Sequence, residues 1–167
     1  DLQRHFADAP GARPGTTLTL LELRAGDTPL LYHVGDSRLY EILPARATPL
    51  TVDHVPATAY AMAGLLGEAD WWQQVHGEHR PQVAQAFLLG NAFADPARLN
   101  DPLFELSPLN LPAWLWRLAD RRPVELRPGA SYLLATDGLW SCSDPHGWVS
   151  QWPQLLGGDA DAATMLQ

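Results

Sequence analysis

The chain has 167 residues, enough for one domain with a sizeable core, and 46% of them are hydrophobic against 18% charged. Its formal net charge is −8 and all 11 of its basic Lys/Arg side chains are Arg, so it lacks the basic footprint that nucleic acid or an anionic membrane surface recruits. The single Cys, Cys142, excludes an internal disulfide and a Cys-based zinc cluster.

No apolar run approaches the roughly 20 residues that span a bilayer, and the first residues do not read as a signal peptide. The expectation is a cytoplasmic protein in a reducing compartment. The chain starts at Asp1 and stops at Gln167 inside a helical pattern, which reads as the larger part of a longer protein.

Residues 1–14 read as a helix remnant and a Pro/Gly-punctuated loop. Residues 16–23, TTLTLLEL, are β-branched and Leu-rich, a strand. A turn at Gly26-Asp27 leads to a second strand over 29–34, and RLYEIL, 38–43, alternates as a third. Three short strands in succession predict an antiparallel meander. From Val55 to about Phe93 the pattern is helical, with Gly67 and Gly90 at cap positions and Pro81 near a helix start.

Residues 94–113 read as loop. Val124 and Leu126 predict a strand, a Pro-Gly turn follows at 128–129, SYLLAT is a further strand, and the tail from Trp148 is helical with a break at Gly157-Gly158.

Gly35-Asp36-Ser37-Arg38 interrupts the apolar runs of the second and third strands. Three readings fit it: Ser37 as the nucleophile of a GDS-type esterase, Asp36 as a metal ligand, or a plain turn. An esterase Ser needs a His base oriented by a carboxylate; Asp144-Pro145-His146 is one residue short of the Asp-x-x-His of those enzymes. A second motif, Thr136-Asp137-Gly138, ends an apolar strand, where Gly lets an ion or another group approach the backbone. Asp137 as the N-cap of a following helix fits equally well.

Taken together and in order, GTTLTLLEL (15–23), LLYHVGDSRLYEI (30–42), LTVDH (50–54), AFLLGNAF (86–93) and VELRPGASYLLATDGLW (124–140) resemble the metal-dependent protein Ser/Thr phosphatases of type 2C. The resemblance runs from about Gly15 to about Trp152. It implies an α+β fold, a four-layer β-sandwich of antiparallel sheets flanked by helices. It also implies a binuclear Mn²⁺ or Mg²⁺ centre that activates water for hydrolysis of phosphoserine or phosphothreonine. Hard divalent cations of this kind take carboxylate and water oxygens.

By the resemblance, Asp137 ligates the core metal centre, Asp36 holds an adjacent third metal, and Ser37 has no chemical role. Arg38 is expected to brace the turn by ion pairing. The partner implied is the phosphoprotein substrate of a Ser/Thr kinase, in a bacterial-style signalling system, and residues 53–121 would be the flap that governs access.

The family's Arg-bearing amino-terminal segment, its Asp-Gly-x-Gly-Gly segment and its closing Asp-Asn-x-Thr are absent; Asp159 and Asp161 are each followed by Ala. A catalytically incomplete phosphatase-like binding module is therefore the alternative. Arg117, Arg121, Arg122 and Arg127 read as a solvated stretch, with docking of an acidic phosphoprotein as the other reading. His33 reads as a core residue and Cys142 as a small buried hydrophobe. His76 and His79 lack a third ligand. Trp71-Trp72, Trp114 and Trp116 read as packing or, if exposed, as a partner surface on the flap.

Overall fold

The computed structural model describes residues 15–77, 87–88 and 111–156. Strands β1 (Gly15–Thr16), β2 (Leu18–Glu22), β3 (Leu30–Val34), β4 (Arg38–Leu43) and β5 (Arg46–Pro49) come first. Helices α1 (Pro56–Met62) and α2 (Glu68–Trp72) follow, the latter running into a π-helical turn, Gln73–Gly77. Strand β6 (Phe87–Leu88), a 3₁₀ segment (Ala113–Leu118), β7 (Arg121–Pro123), β8 (Ser131–Ala135), α3 (Asp137–Trp140) and α4 (Pro145–Leu156) complete the described chain.

Among the described residues two three-stranded antiparallel sheets, β2-β3-β7 and β5-β4-β8, form the centre, and β1 pairs with β6. Their facing sides share one core: Leu31 of β3, Leu39 of β4 and Val124, flanked by Leu21, Leu50, Leu126 and Tyr132. Alternation sends Tyr40 and Ile42 to the opposite face of β4, where Trp152 of α4 covers them. Residues Arg38 through Ile42 are consequently all buried, because β4 is packed on both faces. A second core joins Val52 and Val55 to α1, Trp71, Val75, Leu111, Leu115 and Ala119.

The expected α+β sandwich of antiparallel sheets is what the chain forms. Of its four layers, the described residues supply two sheets and the α4 side. The outer face of β2-β3-β7 keeps Leu18 and Leu20 half exposed, at 48% and 47%.

The meander is corrected. β2 and β3 do pair, Leu18↔Val34 to Glu22↔Leu30, but β4 leaves them for the other sheet and pairs with β5 and β8. Periodicity identifies strands without saying which sheet each joins, and residues 35–37 are a crossing between sheets rather than a hairpin turn. Gly35 makes that crossing at φ +105, and a Cβ there would run into the side chain of Thr17.

Several smaller expectations also shift. Gly67 is the N-cap of α2, not a C-terminal cap; Gly64, at φ +72, follows α1. The strand expected at Val124–Leu126 lies at Arg121–Pro123, and α4 begins at Pro145 rather than Trp148. The turns at Gly26-Asp27 and Pro128-Gly129 and the strand Ser131–Ala135 form where expected. Residues 1–14, Pro81, Gly90, most of the 94–113 loop and the Gly157-Gly158 break lie outside the described residues.

Candidate metal centre

The two motifs meet across one strand pair. The β4–β8 ladder ends at Arg38↔Ala135. Asp36 precedes Arg38 by two residues and Asp137 follows Ala135 by two, so both carboxylates leave the same end of adjacent antiparallel strands. Asp137 opens helix α3 and is not its cap: the N-cap is Thr136, and no side-chain capping bond is made.

Burial pushes the Asp36 carboxyl above its ordinary range, and the negative charges of Asp53 and then Asp137 push it further, against its own backbone N–H and the Arg38 charge. Among the described residues neither Asp36 nor Asp137 has another side chain as a hydrogen-bond or ion-pair partner. Two carboxylates without side-chain partners whose charges repel, at one sheet end, are a donor set that a hard cation satisfies. Mg²⁺-type ions are held by one or two carboxylates with water completing the shell. The residues present fit one such ion; a pair of ions requires more ligands.

Arg38, by contrast, is consumed by the fold. Its Nε donates to both Asp53 oxygens at 2.9 and 3.1 Å, Nη2 donates to Asp53 Oδ2 at 2.7 Å and to the Val75 carbonyl at 2.8 Å, and Nη1 donates to Tyr40 Oη at 2.9 Å. Burial works against the charge, but the Asp53 carboxylate outweighs it and holds the guanidinium above its ordinary range. The guanidinium also lies 3.4 Å from the centroid of the Trp140 ring. The bracing role expected from the sequence is what the geometry shows: four of the five guanidinium N–H groups are engaged inside the fold, and Arg38 is only 2% exposed.

Ser37 is likewise committed. Its Oγ is 3.0 Å from the Thr17 hydroxyl, and its carbonyl accepts from Thr19 Oγ1 at 2.7 Å. No described histidine bonds the Ser37 hydroxyl: His33 Nδ1 meets Thr19 Oγ1 at 2.9 Å, and Asp144 accepts the Gly147 N–H at 2.9 Å at the start of α4. Among the described residues the esterase arrangement is not formed.

His33 is a core residue as expected. Burial lowers its pKa to about 3, with the neighbouring His54 adding to the effect. His76 is also buried and held well below the ordinary histidine range by burial, then by the Arg38 charge. It packs 4.3 Å from Trp72 and 5.4 Å from Trp71. His79 lies outside the described residues.

Trp71 and Trp114 pack against each other at 5.3 Å, whereas Trp72 and Trp116 stay 41% and 51% exposed. Cys142 is half-buried. Of the four arginines, Arg117, Arg121 and Arg127 are exposed, while Arg122 is half-buried and donates to the Leu50 carbonyl at 2.8 Å.

A cluster that sequence reasoning missed sits behind the Gly35 crossing. Ligating atoms of His33, His54 and Asp120 lie within 4.8 Å of one another, all buried. Here they serve one another and the backbone: His54 Nε2 meets Asp120 Oδ2 at 2.7 Å, and His33 Nε2 meets the Val52 carbonyl at 3.1 Å. Asp53 and His54 lie in LTVDH, which the sequence offered only as one motif of the resemblance, with no role attached to either residue. Nothing local marked Asp120.

No protein-family model matches the sequence, and no curated protein matches it. Among solved structures the chain is similar to the PPM Ser-Thr phosphatase MsPP from Mycobacterium smegmatis, crystallised in complex with cacodylate. The TM-score is 0.60 at 20% identity, over 99% of this chain and 58% of that one. The chain thus spans little more than half the length of that neighbour. No helix among the described residues is long and apolar enough to cross a membrane. Joined to the five motifs and the two-sheet core, the match identifies the fold: the chain carries the fold of the PPM Ser/Thr phosphatases, the family its sequence resembles.

Proposed function

We propose that the chain is the larger part of a metal-dependent Ser/Thr protein phosphatase in which Asp36 and Asp137 are ligands for Mn²⁺ or Mg²⁺. The observation that supports this most is the exit of both carboxylates from one end of the β4–β8 pair, two residues past its last rung. When bound, divalent cations supply Lewis acidity and let water, rather than a protein nucleophile, serve in hydrolysis. The chain's own contribution is to hold the two carboxylates on rigid strand ends. The Ser37 hydroxyl engaged by Thr17 and the Arg38 guanidinium engaged by Asp53 accord with neither acting on the substrate.

Two carboxylates suffice for one hard cation but not for a binuclear site. The reading therefore requires the Asp-Gly-x-Gly-Gly and Asp-Asn-x-Thr ligands that the 167 residues lack. The second reading, for a protein without those ligands, is a phosphatase-like module that binds a metal or a phosphoprotein without turnover. Under the first reading the substrate is a phosphoprotein set by a Ser/Thr kinase, and residues 53–121 form the flap over it, with the exposed Trp72 and Trp116 as its partner-facing side chains.

Mn²⁺-dependent hydrolysis of p-nitrophenyl phosphate by the full-length protein separates the readings. Turnover that Asp137→Asn abolishes and Ser37→Ala largely keeps is the expected result. Mn²⁺ binding without turnover selects the module. Loss of activity in Ser37→Ala together with labelling by a fluorophosphonate would restore the esterase.

A further inference from the structure

Gly35, which turns the chain toward Asp36, is gripped on both sides by one histidine. Its N–H donates to His54 Nδ1 at 2.8 Å, and its carbonyl accepts the His54 backbone N–H at 2.9 Å. A ring nitrogen that accepts leaves the proton on the other one, so Nε2–H donates to Asp120 Oδ2 at 2.7 Å. Asp120 is anchored in turn, because its carbonyl accepts the His33 backbone N–H at 3.0 Å. His54 and Asp120 are 4% and 2% exposed, so water does not compete for these bonds.

We propose that His54, oriented by Asp120, is a positioning residue that aims Asp36 at its divalent cation; this rests on the metal reading above. Among the described residues the Asp36 carboxylate has no side-chain partner, so the backbone alone directs it. Gly35, as glycine, has the widest backbone freedom in that crossing, and it sits at φ +105 with Thr17 filling the space where a side chain would stand. Fixing the Gly35 peptide at both its N–H and its carbonyl removes that freedom. The bonds come from a segment 19 residues away along the chain, tied by Asp120 to a third. Partners of this indirect kind typically change metal affinity by about 10–100-fold when lost.

The test compares His54→Asn with His54→Gln. Asn carries its amide oxygen near the Nδ1 position and keeps an acceptor for the Gly35 N–H; Gln reaches toward Asp120 and does not. In the metal-free protein, amide exchange at Gly35 should accelerate in His54→Gln and stay closer to wild type in His54→Asn. By calorimetric titration, Mn²⁺ affinity should fall about tenfold or more in His54→Gln and less in His54→Asn.

Leu115→Ala, in the flanking core, controls for lost stability and should leave Mn²⁺ affinity near wild type. Wild-type Gly35 protection and Mn²⁺ affinity in His54→Gln, or a loss no larger than that of Leu115→Ala, overturns the proposal. Stoichiometric Zn²⁺ uptake abolished by His33→Gln also overturns it, by making His54 a ligand. A wild-type protein that takes up no Mn²⁺ overturns the metal reading itself, while exchange at Gly35 still judges the clamp.

Discussion

The Arg38 guanidinium lies 3.4 Å from the centroid of the Trp140 ring, and this contact joins the two motifs that carry the resemblance. Arg38 closes Gly-Asp-Ser-Arg and Trp140 closes Asp-Gly-Leu-Trp. Because Arg38 also binds Asp53, Tyr40 and the Val75 carbonyl, one side chain ties β4 to the loop before α1, the π-helical turn and α3. The strand end bearing Asp36 and the helix start bearing Asp137 are thereby fixed against each other.

Removing Arg38 strands a buried carboxylate. Arg38→Met is expected to destabilise the protein by about 3–5 kcal/mol, the usual penalty for breaking a buried pair from one side. The double variant Arg38→Met/Asp53→Leu should recover part of it, since no charge is then left unpaired. Urea denaturation of the three proteins measures this. A double variant as unstable as the two single ones added together would mean that the pair is not coupled.

Gly35→Ala should be destabilising by more than about 1 kcal/mol, because Ala resists positive φ and its methyl meets Thr17. Adding Thr17→Gly relieves the contact but not the backbone strain, so only partial recovery is expected. The midpoints of chemical unfolding report both effects, and full recovery would show that φ at this position is unstrained.

Asp36→Asn trades metal for calm electrostatics. Removing a carboxylate that Asp53 and Asp137 both repel should leave the metal-free Tm at or above that of wild type. The rise in Tm that Mn²⁺ gives the wild type should shrink, since a ligand stabilises only what it binds. An unchanged Mn²⁺ increment would remove Asp36 from the site.

Acid should unfold the protein through its buried neutral histidines. His33 ionises at about 3 in the fold against 6.5 in the unfolded chain. Above pH 6.5 both states hold it neutral and it has no pH-dependent effect. As pH falls from 6.5 toward 3 only the unfolded chain takes up the proton, and stability drops by up to about 1.4 kcal/mol per pH unit for this group. His76 acts in the same direction. His33→Asn is expected to be less stable at pH 7.5 yet to show a shallower loss between pH 6 and 4. A slope as steep as wild type would assign the acid sensitivity elsewhere.

Local chemistry was enough for part of this molecule. β2, β3 and β8 follow from β-branched and Leu-rich alternation, and the Gly26-Asp27 and Pro128-Gly129 turns follow from residues that tolerate tight corners. Asp36 and Asp137 could be singled out only through the resemblance that five motifs in order carry, since each motif alone left other readings open. β7 could not be: Arg-Arg-Pro carries no strand signal and is a strand because β3 offers it a free edge, pairing Leu30↔Pro123 to Tyr32↔Arg121. Asp120 was equally silent, since its importance lies in a histidine 66 residues away.

The sequence by itself determined where β2, β3, β4 and β8 and the corners beside them form, because period-2 burial and glycine geometry are local properties. Only the tertiary structure decided that β4 leaves β3 for the other sheet, that Asp36 and Asp137 exit together, and that His54 grips the crossing from β3 to β4. Pairing partners are chosen by which apolar faces can be buried against each other. That choice belongs to the whole core around Leu31, Leu39 and Val124, not to any stretch of chain.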